Sequence, residues 1–196
     1  NDKVFVKIIS PNFDLKYGLT EEQIEERFKK LIRYSDPSKD KKTVFIWPEG
    51  VFSGYSYDEV FTFKEMILKN FSKEHAIIFG INLLDPKSGN FYNSMLVVDN
   101  NFKIIQSYNK RKLVPFGEFL PFENFLSKFG FKKITQGYSS FSAGKTRKIL
   151  NLEDKFNGMS ILPLICYEII YSGQIKTKDQ LPDLVVNISE DGWFGK

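Results

Sequence analysis

The sequence contains one cysteine, Cys166, and one histidine, His75. A single cysteine excludes an internal disulfide and a cysteine-rich zinc site. A single histidine argues against a histidine metal cluster and against a Ser-His-Asp triad. Catalysis by this chain would therefore have to rest on carboxylates, lysines and Cys166. We interpret His75 as a surface residue, because it lies at a predicted helix–strand junction.

Long apolar runs are also missing, since none approaches the roughly 20 residues needed to cross a bilayer. The first residues enter a strand pattern directly and lack the layout of a signal peptide. We therefore expect that the chain neither spans a membrane nor carries its own export signal. The net charge is only +4 and no dense block of Lys and Arg occurs, which argues against nucleic-acid binding.

Apolar periodicity predicts strands and helices that alternate along the chain. Some strand segments are fully apolar and others alternate with polar residues, so the sequence predicts an α/β fold with layered mixed sheets. The predicted strands lie at 3–10, 42–50, 76–84, 90–99, 102–110, 160–166 and 183–189, and the predicted helices at 19–34, 58–73 and 123–129.

Chemically capable side chains follow four of these strands, where functional groups of α/β folds gather. They are Glu49, Lys110, Cys166 with Glu168, and the run Ser189, Glu190 and Asp191. Taken singly, each has an ordinary interpretation. A Glu or Lys after a strand is usually solvated, and a lone Cys in an apolar run is usually an inert core residue.

Together, Glu49, Lys110 and Cys166 form a complete set for acyl transfer. A thiol attacks well only as a thiolate, so it needs a base. A partly desolvated carboxylate can take that proton, and a lysine ammonium can stabilise the oxyanion of the tetrahedral intermediate. Histidine is not required for this chemistry.

The same three residues resemble the Glu-Lys-Cys triad of the nitrilase superfamily. The surrounding segments WPEG, YNKRKLVPFGEFLP, ICYE and NISEDGWFG resemble, more narrowly, the apolipoprotein N-acyltransferase family. The resemblance covers essentially the whole chain, and KLVPFGEFLPFE is its most specific part. It implies a nitrilase-like α-β-β-α sandwich of two mixed sheets over residues 1–196.

The resemblance also implies a function. The thiolate of Cys166 would take an acyl chain from a membrane phospholipid as a thioester, with Glu49 as base and Lys110 at the oxyanion. The acyl chain would then pass to the N-terminal amine of a diacylglyceryl-cysteine apolipoprotein. Glu118, Tyr167 and Glu168 resemble further active-site residues of the family. No metal or organic cofactor is implied.

The family places this domain on the periplasmic face of the bacterial inner membrane, between transmembrane helices. We expect the chain to lack those flanking helices and the last strands of the fold, so the isolated 196 residues are expected to associate, to have low stability or to show no turnover. One residue departs from the family pattern, because Glu190 stands where the family typically has Asn before the aspartate of the last motif.

Phenylalanine is abundant, with 20 copies, and six crowd the segment after Lys110. This segment is either a local core under a long loop or a lid that dips toward the bilayer. In the second case Lys110, Arg111 and Lys112 would lie near anionic headgroups. The six residues are Phe116, Phe119, Phe122, Phe125, Phe129 and Phe131.

Two other classes of function remain open at this stage. The first is a soluble nitrilase-type amidase, which would cleave a small amide through the same thioester and would need no lipid. The second is a catalytically inactive interaction module, in which Cys166 would be unreactive.

Overall fold

The structure is a computed structural model, and it describes residues 3–16, 18–115, 117–119, 140–171 and 181–190. The predicted helix at 123–129 lies outside these residues. The α-helices are α1 (Glu21–Ser35), α2 (Tyr57–Val60) and α3 (Lys64–Asn70), and 3-10 helices cover Phe61–Phe63, Asp154–Phe156 and Cys166–Ile170. The strands are β1 (Phe5–Ile8), β2 (Thr43–Ile46), β3 (His75–Leu84), β4 (Phe91–Val98), β5 (Ile104–Asn109), β6 (Leu150–Asn151), β7 (Ser160–Ile165) and β8 (Leu184–Ile188).

The strands form two mixed sheets, as the sequence predicted. The first sheet has the order β1-β2-β3-β4-β5, with β1, β2 and β3 parallel and β4 and β5 antiparallel to their neighbours. The second has the order β6-β7-β8, with β6 antiparallel to β7 and β7 parallel to β8. The short strand β6 was not predicted, because two residues carry no readable periodicity.

Alternation along the central strands builds two cores, one on each face of the first sheet. In β2 and just beyond it, Phe45 and Trp47 pack toward the helices, while Val44 and Ile46 pack toward the second sheet. Successive side chains of a strand point to opposite faces, and here both faces are covered. This is why the segment is a continuous apolar run. The described layers are therefore helices, first sheet and second sheet.

Helix α1 begins and packs as its sequence predicts. The Thr20 side chain accepts a hydrogen bond from the Gln23 backbone, and the Gln23 side chain accepts one from the Thr20 backbone. This reciprocal capping box satisfies two of the free N–H groups at the helix start. Ile24, Phe28 and Leu31 are fully buried on one face of the helix.

The predicted helix at 58–73 is instead two helices, α2 and α3, joined by the 3-10 turn Phe61–Phe63. The turn places aromatic rings against the core. The Phe61 ring stacks 6.3 Å from that of Phe102, and the Phe63 ring stacks 5.2 Å from that of Phe28. The spacing of the apolar residues predicted one helix. The observed burial of Val60, Ile67 and Phe71 is the same as an unbroken helix would give, so the spacing could not reveal the break.

The β4–β5 hairpin closes around Asp99 and contains a residue in an unusual backbone conformation. The Phe102 N–H donates to the Asp99 carbonyl, and the Asp99 N–H donates to the Lys103 carbonyl. Phe102 has φ +60°, a left-handed conformation that a bulky residue rarely adopts. Its ring is fully buried, and it stacks 5.6 Å from the Phe79 ring. Packing of the ring thus holds the turn that leads into β5.

The interpretation of His75 as a surface residue was wrong. His75 is 1% exposed at the start of β3, with its ring edgewise to those of Phe45 and Phe71. Its Nδ1 accepts from the Ser72 N–H and its Nε2 lies 3.0 Å from the Ser38 carbonyl. Burial lowers the pKa of His75. With both ring nitrogens bonded to the backbone, the imidazole serves the local fold.

Replacing Phe102 by alanine should destabilise the chain strongly, because the ring fills the core and the backbone strain remains. We expect a loss of about 3–5 kcal/mol in the free energy of unfolding, measured by urea denaturation. Lys103→Ala, one residue further on the exposed side of the turn, is the matched control and should change stability by less than about 0.5 kcal/mol. Equal effects of the two substitutions would contradict the role assigned to the Phe102 ring.

Candidate active site

The strand ends gather most of the predicted site residues at one place between the two sheets. Glu49 follows β2 through Trp47 and Pro48, Lys110 follows β5, and Cys166 follows β7. Glu118, from the loop after Lys110, joins the first two. The structure therefore assembles side chains that lie far apart in the sequence, as their positions after strands predicted.

Glu49 sits where the backbone passes close over β3. A Cβ atom at Gly80 would lie 2.9 Å from the Glu49 Cα and 3.0 Å from the Ile188 side chain, so only glycine allows this approach. The Glu49 side chain is 14% exposed, and its Oε1 accepts a hydrogen bond of 2.8 Å from Asn93. Sequence reasoning missed both Gly80 and Asn93 as parts of the site.

Lys110 is enclosed between two carboxylates. Its side chain is 2% exposed, and its Nζ lies 2.9 Å from Glu118 Oε2 and 3.9 Å from Glu49 Oε1. Burial alone lowers the pKa of Lys110, but the charges of Glu49 and Glu118 and the hydrogen bond to Glu118 outweigh it, and the pKa is raised. The ammonium thus stays charged. The expectation that Lys110 faces lipid headgroups was wrong, because the side chain is buried.

Glu118 folds back onto the strand end that precedes its loop. Its Oε2 accepts the Val114 N–H at 2.9 Å as well as Lys110, and its Oε1 accepts Asn93 Nδ2 at 2.7 Å. The Asn93 amide therefore donates to Glu118 and to Glu49 and holds the two carboxylates in one network. The Lys110 N–H donates to the Asn93 carbonyl, which fixes this pair across the hairpin.

The Glu49 carboxyl has a raised proton affinity. Burial raises its pKa most, and the neighbouring Glu118 charge raises it further. The Lys110 charge, the Asn93 hydrogen bond and a hydrogen bond from the Glu190 backbone act in the opposite direction, but the pKa remains above its usual value. A carboxyl with a raised pKa is better suited than an ordinary surface carboxyl to take a proton from a thiol.

Cys166 occupies a strained turn at the end of β7. Its φ is +53°, and it begins a 3-10 helix directly after the strand. A non-glycine residue at positive φ costs energy and clusters at functional sites, where a sharp strand-to-helix turn exposes a nucleophile. The side chain is half-buried and the thiol is free. This geometry argues against an inert core cysteine.

The thiol of Cys166 is not a preformed thiolate. Burial raises its pKa, and the negative charge of Glu49 raises it further. The Lys110 charge and the hydrogen bonds donated to the sulfur by the Ser189 hydroxyl and the Tyr167 backbone N–H lower it by less. To act as a nucleophile, the thiol would therefore need a base, and Glu49 is the carboxylate whose charge acts on it.

Glu168 is fully buried, and its carboxylate accepts hydrogen bonds from groups at the ends of both β5 and β7. Its carboxylate accepts from the Tyr108 hydroxyl at 2.8 Å, and from the backbone N–H groups of Arg111 and Ile165 at 3.0 Å each. It thereby ties the loop after β5 to the turn at Cys166. With so many donors, it is better placed to position the site than to act as a base. Tyr167, by contrast, is 44% exposed beside the nucleophile.

Arg147 forms an ion pair with Glu168 that the sequence did not predict. Its Nη2 lies 3.4 Å from Glu168 Oε1, and its side chain is 6% exposed. Its Nε and Nη1 have no hydrogen-bond partner within the described part of the chain. Arg147 stands in a loop without a motif around it, so nothing in the sequence pointed to a buried counter-charge for Glu168.

The described residues include no cluster of three or more His, Cys, Asp or Glu side chains arranged to hold a metal ion. Among the same residues, no helix combines the length and the apolar character that a membrane crossing requires.

The family of the chain follows from comparison with known sequences. A sequence model of the carbon-nitrogen hydrolase family matches residues 14–196. The chain therefore belongs to the carbon-nitrogen hydrolase family.

Curated relatives narrow the similarity. The apolipoprotein N-acyltransferase of Bradyrhizobium diazoefficiens is 32% identical over 204 residues, which cover 97% of this chain and 37% of that protein. The enzyme of the same name from Rhodopseudomonas palustris is 31% identical over 206 residues, covering 99% and 38%. The chain thus spans well under half of the length of these relatives, and its resemblance to them is confirmed.

Solved structures confirm the predicted fold class. An amidase from Nesterenkonia sp. superposes with a TM-score of 0.58 at 12% identity, covering 94% of this chain and 64% of the amidase. A CN-hydrolase superfamily protein from Xanthomonas campestris superposes with a TM-score of 0.54 at 16% identity, covering 90% and 62%. At these identities the similarity concerns the fold.

Removing either charged neighbour of the Cys166 thiol should shift the pH at which the thiol titrates. Because Glu49 raises the pKa of Cys166 and Lys110 lowers it, Glu49→Gln should shift the alkylation profile of Cys166 to lower pH and Lys110→Met should shift it to higher pH. Cys166 is the only cysteine, so intact-mass analysis of iodoacetamide labelling at a series of pH values reports it alone. Lys103→Met, an exposed charge, is the control. Shifts in the same direction for both site variants would contradict this electrostatic arrangement.

Proposed function

We propose that this chain is the catalytic domain of an apolipoprotein N-acyltransferase, which moves a fatty acyl chain from a membrane phospholipid to the N-terminal amine of an apolipoprotein. The observation that carries the proposal is the enclosed Lys110 ammonium, 3.9 Å from Glu49, at the strand end that faces Cys166. The names of the similar sequences supply the class of the acceptor, an apolipoprotein, and the phospholipid donor is part of the proposal.

The first half-reaction transfers the acyl chain to the enzyme. Glu49 takes the thiol proton as the Cys166 sulfur attacks the ester carbonyl carbon of the phospholipid. Lys110 and nearby backbone N–H groups stabilise the resulting oxyanion. The tetrahedral intermediate collapses, the C–O bond breaks, and the lysophospholipid oxygen leaves with the proton held by Glu49. A thioester on Cys166 remains.

The second half-reaction releases the product. The amine of the diacylglyceryl-cysteine attacks the thioester carbonyl carbon, and Glu49 accepts a proton from the amine as the C–N bond forms. The oxyanion forms again at Lys110. Collapse breaks the C–S bond, and the sulfur recovers its proton from Glu49. The amide product leaves and the site returns to its starting state, without a cofactor in any step.

The phospholipid acyl donor also determines the proposed location of the domain. Because a phospholipid supplies the acyl chain, the site must lie near a membrane surface, and we place it on the periplasmic face of the bacterial inner membrane. The phenylalanine-rich segment proposed as a lid lies largely outside the described residues, and Phe119 is its described member. Arg111 and Lys112 are half-buried beside the site, where they can approach anionic headgroups.

The alternatives have less support. The soluble amidase hypothesis rests on solved structures of 12–16% identity, which bear on the fold, whereas sequences of about 30% identity carry the acyltransferase name. The inactive-module hypothesis requires an unreactive Cys166. It is disfavoured because Glu49, Lys110 and Cys166 are all present and their charges act on one another.

In the full-length protein, Cys166 should become acylated when phospholipid vesicles are added. Intact-mass analysis should show an increase of one fatty acyl group, and hydroxylamine should remove it because it cleaves thioesters. Cys166→Ala should show no adduct. An adduct that persists in Cys166→Ala would overturn the assignment of the nucleophile, and hydrolysis of small amides without any lipid adduct would favour the amidase.

The ammonium of Lys110 should not be replaceable by a guanidinium. Lys110 is enclosed by Glu49 and Glu118, and the wide planar head of arginine cannot occupy the same space. We expect Lys110→Arg to slow acylation of Cys166 by about 2.7–4 kcal/mol in activation free energy, the cost of a lost principal oxyanion donor.

The matched control is Lys112→Arg, since the Lys112 ammonium lies 5.6 Å from the centre of the Tyr171 ring, away from these carboxylates. Its acylation rate, measured in the same full-length background, should remain near that of the unchanged protein. Indistinguishable rates for the two arginine variants would remove Lys110 from the proposed mechanism.

A further inference from the structure

The segment after β8 reaches the candidate active site at two points. The Ser189 hydroxyl hydrogen bonds with the Cys166 sulfur, and the Glu190 backbone N–H hydrogen bonds with the Glu49 carboxylate. The Glu190 side chain is not among the three groups assigned to the acyl transfer. Its position beside Glu49 nevertheless gives the site another carboxyl group.

The Glu190 carboxyl packs against Gly50, the residue that follows Glu49. A Cβ atom at Gly50 would overlap with the Glu190 Oε2 and Cδ, and Gly50 also has φ +69°. Glycine at position 50 is therefore required both by the backbone and by the carboxyl packed against it. This contact holds the acidic group of Glu190 next to the Glu49 turn.

Arg27 supplies the opposite charge from α1. Its side chain is 7% exposed, and its Nη1 donates to the carbonyls of Gly50 at 3.3 Å and Val51 at 3.0 Å. Its Nη2 donates to the Asp14 carbonyl at 3.0 Å. The guanidinium is thus fixed by backbone groups, and its charge reaches Glu190 across the Gly50 turn.

Two charged groups bear on the Glu190 carboxyl from the elements around it, and a third acts on one of the two. Glu49 faces it from the loop after β2, Arg27 from α1, and Asp14 acts on Arg27 from the segment before α1. Burial raises the pKa of Glu190 to about 7, the Glu49 charge raises it as well, and Arg27 opposes them. Glu190 therefore changes charge near neutral pH, next to the proposed base.

We propose that Glu190 is a positioning residue whose ionisation strengthens Glu49 as the base. The proposal rests on the function proposed above for Glu49. A negative charge on Glu190 favours the proton on Glu49, because the interaction between the two carboxyls is reciprocal. The Cys166 thiol has a raised pKa and gives up its proton reluctantly, so a base with greater proton affinity accelerates the attack.

The test is the pH dependence of Cys166 acylation in the full-length protein, with p-nitrophenyl butyrate as the acyl donor and intact mass as the readout. The unchanged protein should acylate faster as pH rises from about 6 to about 8, with a step near neutral pH. Glu190→Gln, which keeps the shape but removes the charge, should match the unchanged protein at about pH 6 and acylate more slowly than it at about pH 8, because Glu49 and Cys166 still titrate but the contribution of Glu190 is gone.

Two further variants keep the result interpretable. Glu190→Asp retains a carboxyl and should restore a step, which a purely structural role would not predict. Glu65→Gln removes an exposed carboxyl on α3 and should leave the profile unchanged. A Glu190→Gln profile with the same step, or a uniform loss at every pH that Glu190→Asp shares, would overturn the proposal.

The outcome can be separated from that of the proposed function. If Glu49→Gln reacts with p-nitrophenyl butyrate as fast as the unchanged protein, Glu49 is not the base and both proposals fail. If the ester acylates Cys166 with the expected step but phospholipid vesicles give no adduct, the lipid donor is wrong and the role of Glu190 stands.

Discussion

The burial of one ammonium group governs the architecture of this site. A lysine that is 2% exposed cannot remain charged without partners, because desolvation alone drives it toward the neutral form. Two carboxylates, Glu49 and Glu118, supply the compensation, and removing one partner of such a buried pair typically costs about 3–5 kcal/mol. The loop after Lys110 must therefore fold back far enough to bring Glu118 to the ammonium.

That requirement links the site to the hairpin that precedes it. Asn93 joins the two carboxylates only because β4 and β5 place it opposite Lys110. The register changes between Val97 and Val98, where the ladder is irregular next to the Phe102 turn. A shift in register by one residue would turn each side chain to the other face. The buried Phe102 ring thus helps to set the pairing of Asn93 with Lys110, which lies eight residues after Phe102, or about 27 Å at roughly 3.4 Å per residue.

The sequence predicted the parts of the site that depend on local pattern. Apolar runs located the strands, and the polar residues directly after them became Glu49, Lys110 and Cys166. Glu118 pairs with Lys110 from the loop that follows it, and the two carry opposite charges. Thr20 and Gln23 have the spacing of a capping box, and the structure contains this capping box at the start of α1.

The parts that escaped prediction depend on contacts between distant elements. Asn93 is one polar residue within an ordinary strand, and its role needs the hairpin register. Gly80 matters because the Glu49 backbone passes close to it. Arg27 lies among the charged residues of α1, so its sequence context predicts a solvated side chain and gives no sign of its contact with Val51. His75 was misjudged because the two backbone groups that satisfy its ring come from neighbouring loops.

The electrostatics of the site impose an order on the chemistry. Burial and Glu49 keep the resting thiol of Cys166 protonated, while Lys110 stays charged between its carboxylates. In the proposed mechanism, proton transfer from sulfur to Glu49 therefore changes two interactions at once. It removes the carboxylate charge that opposed the thiolate, and it leaves Lys110 with less of its compensating negative charge. An ammonium in that state is best stabilised by a new anion, and the oxyanion of an acyl-transfer intermediate is the anion that forms next.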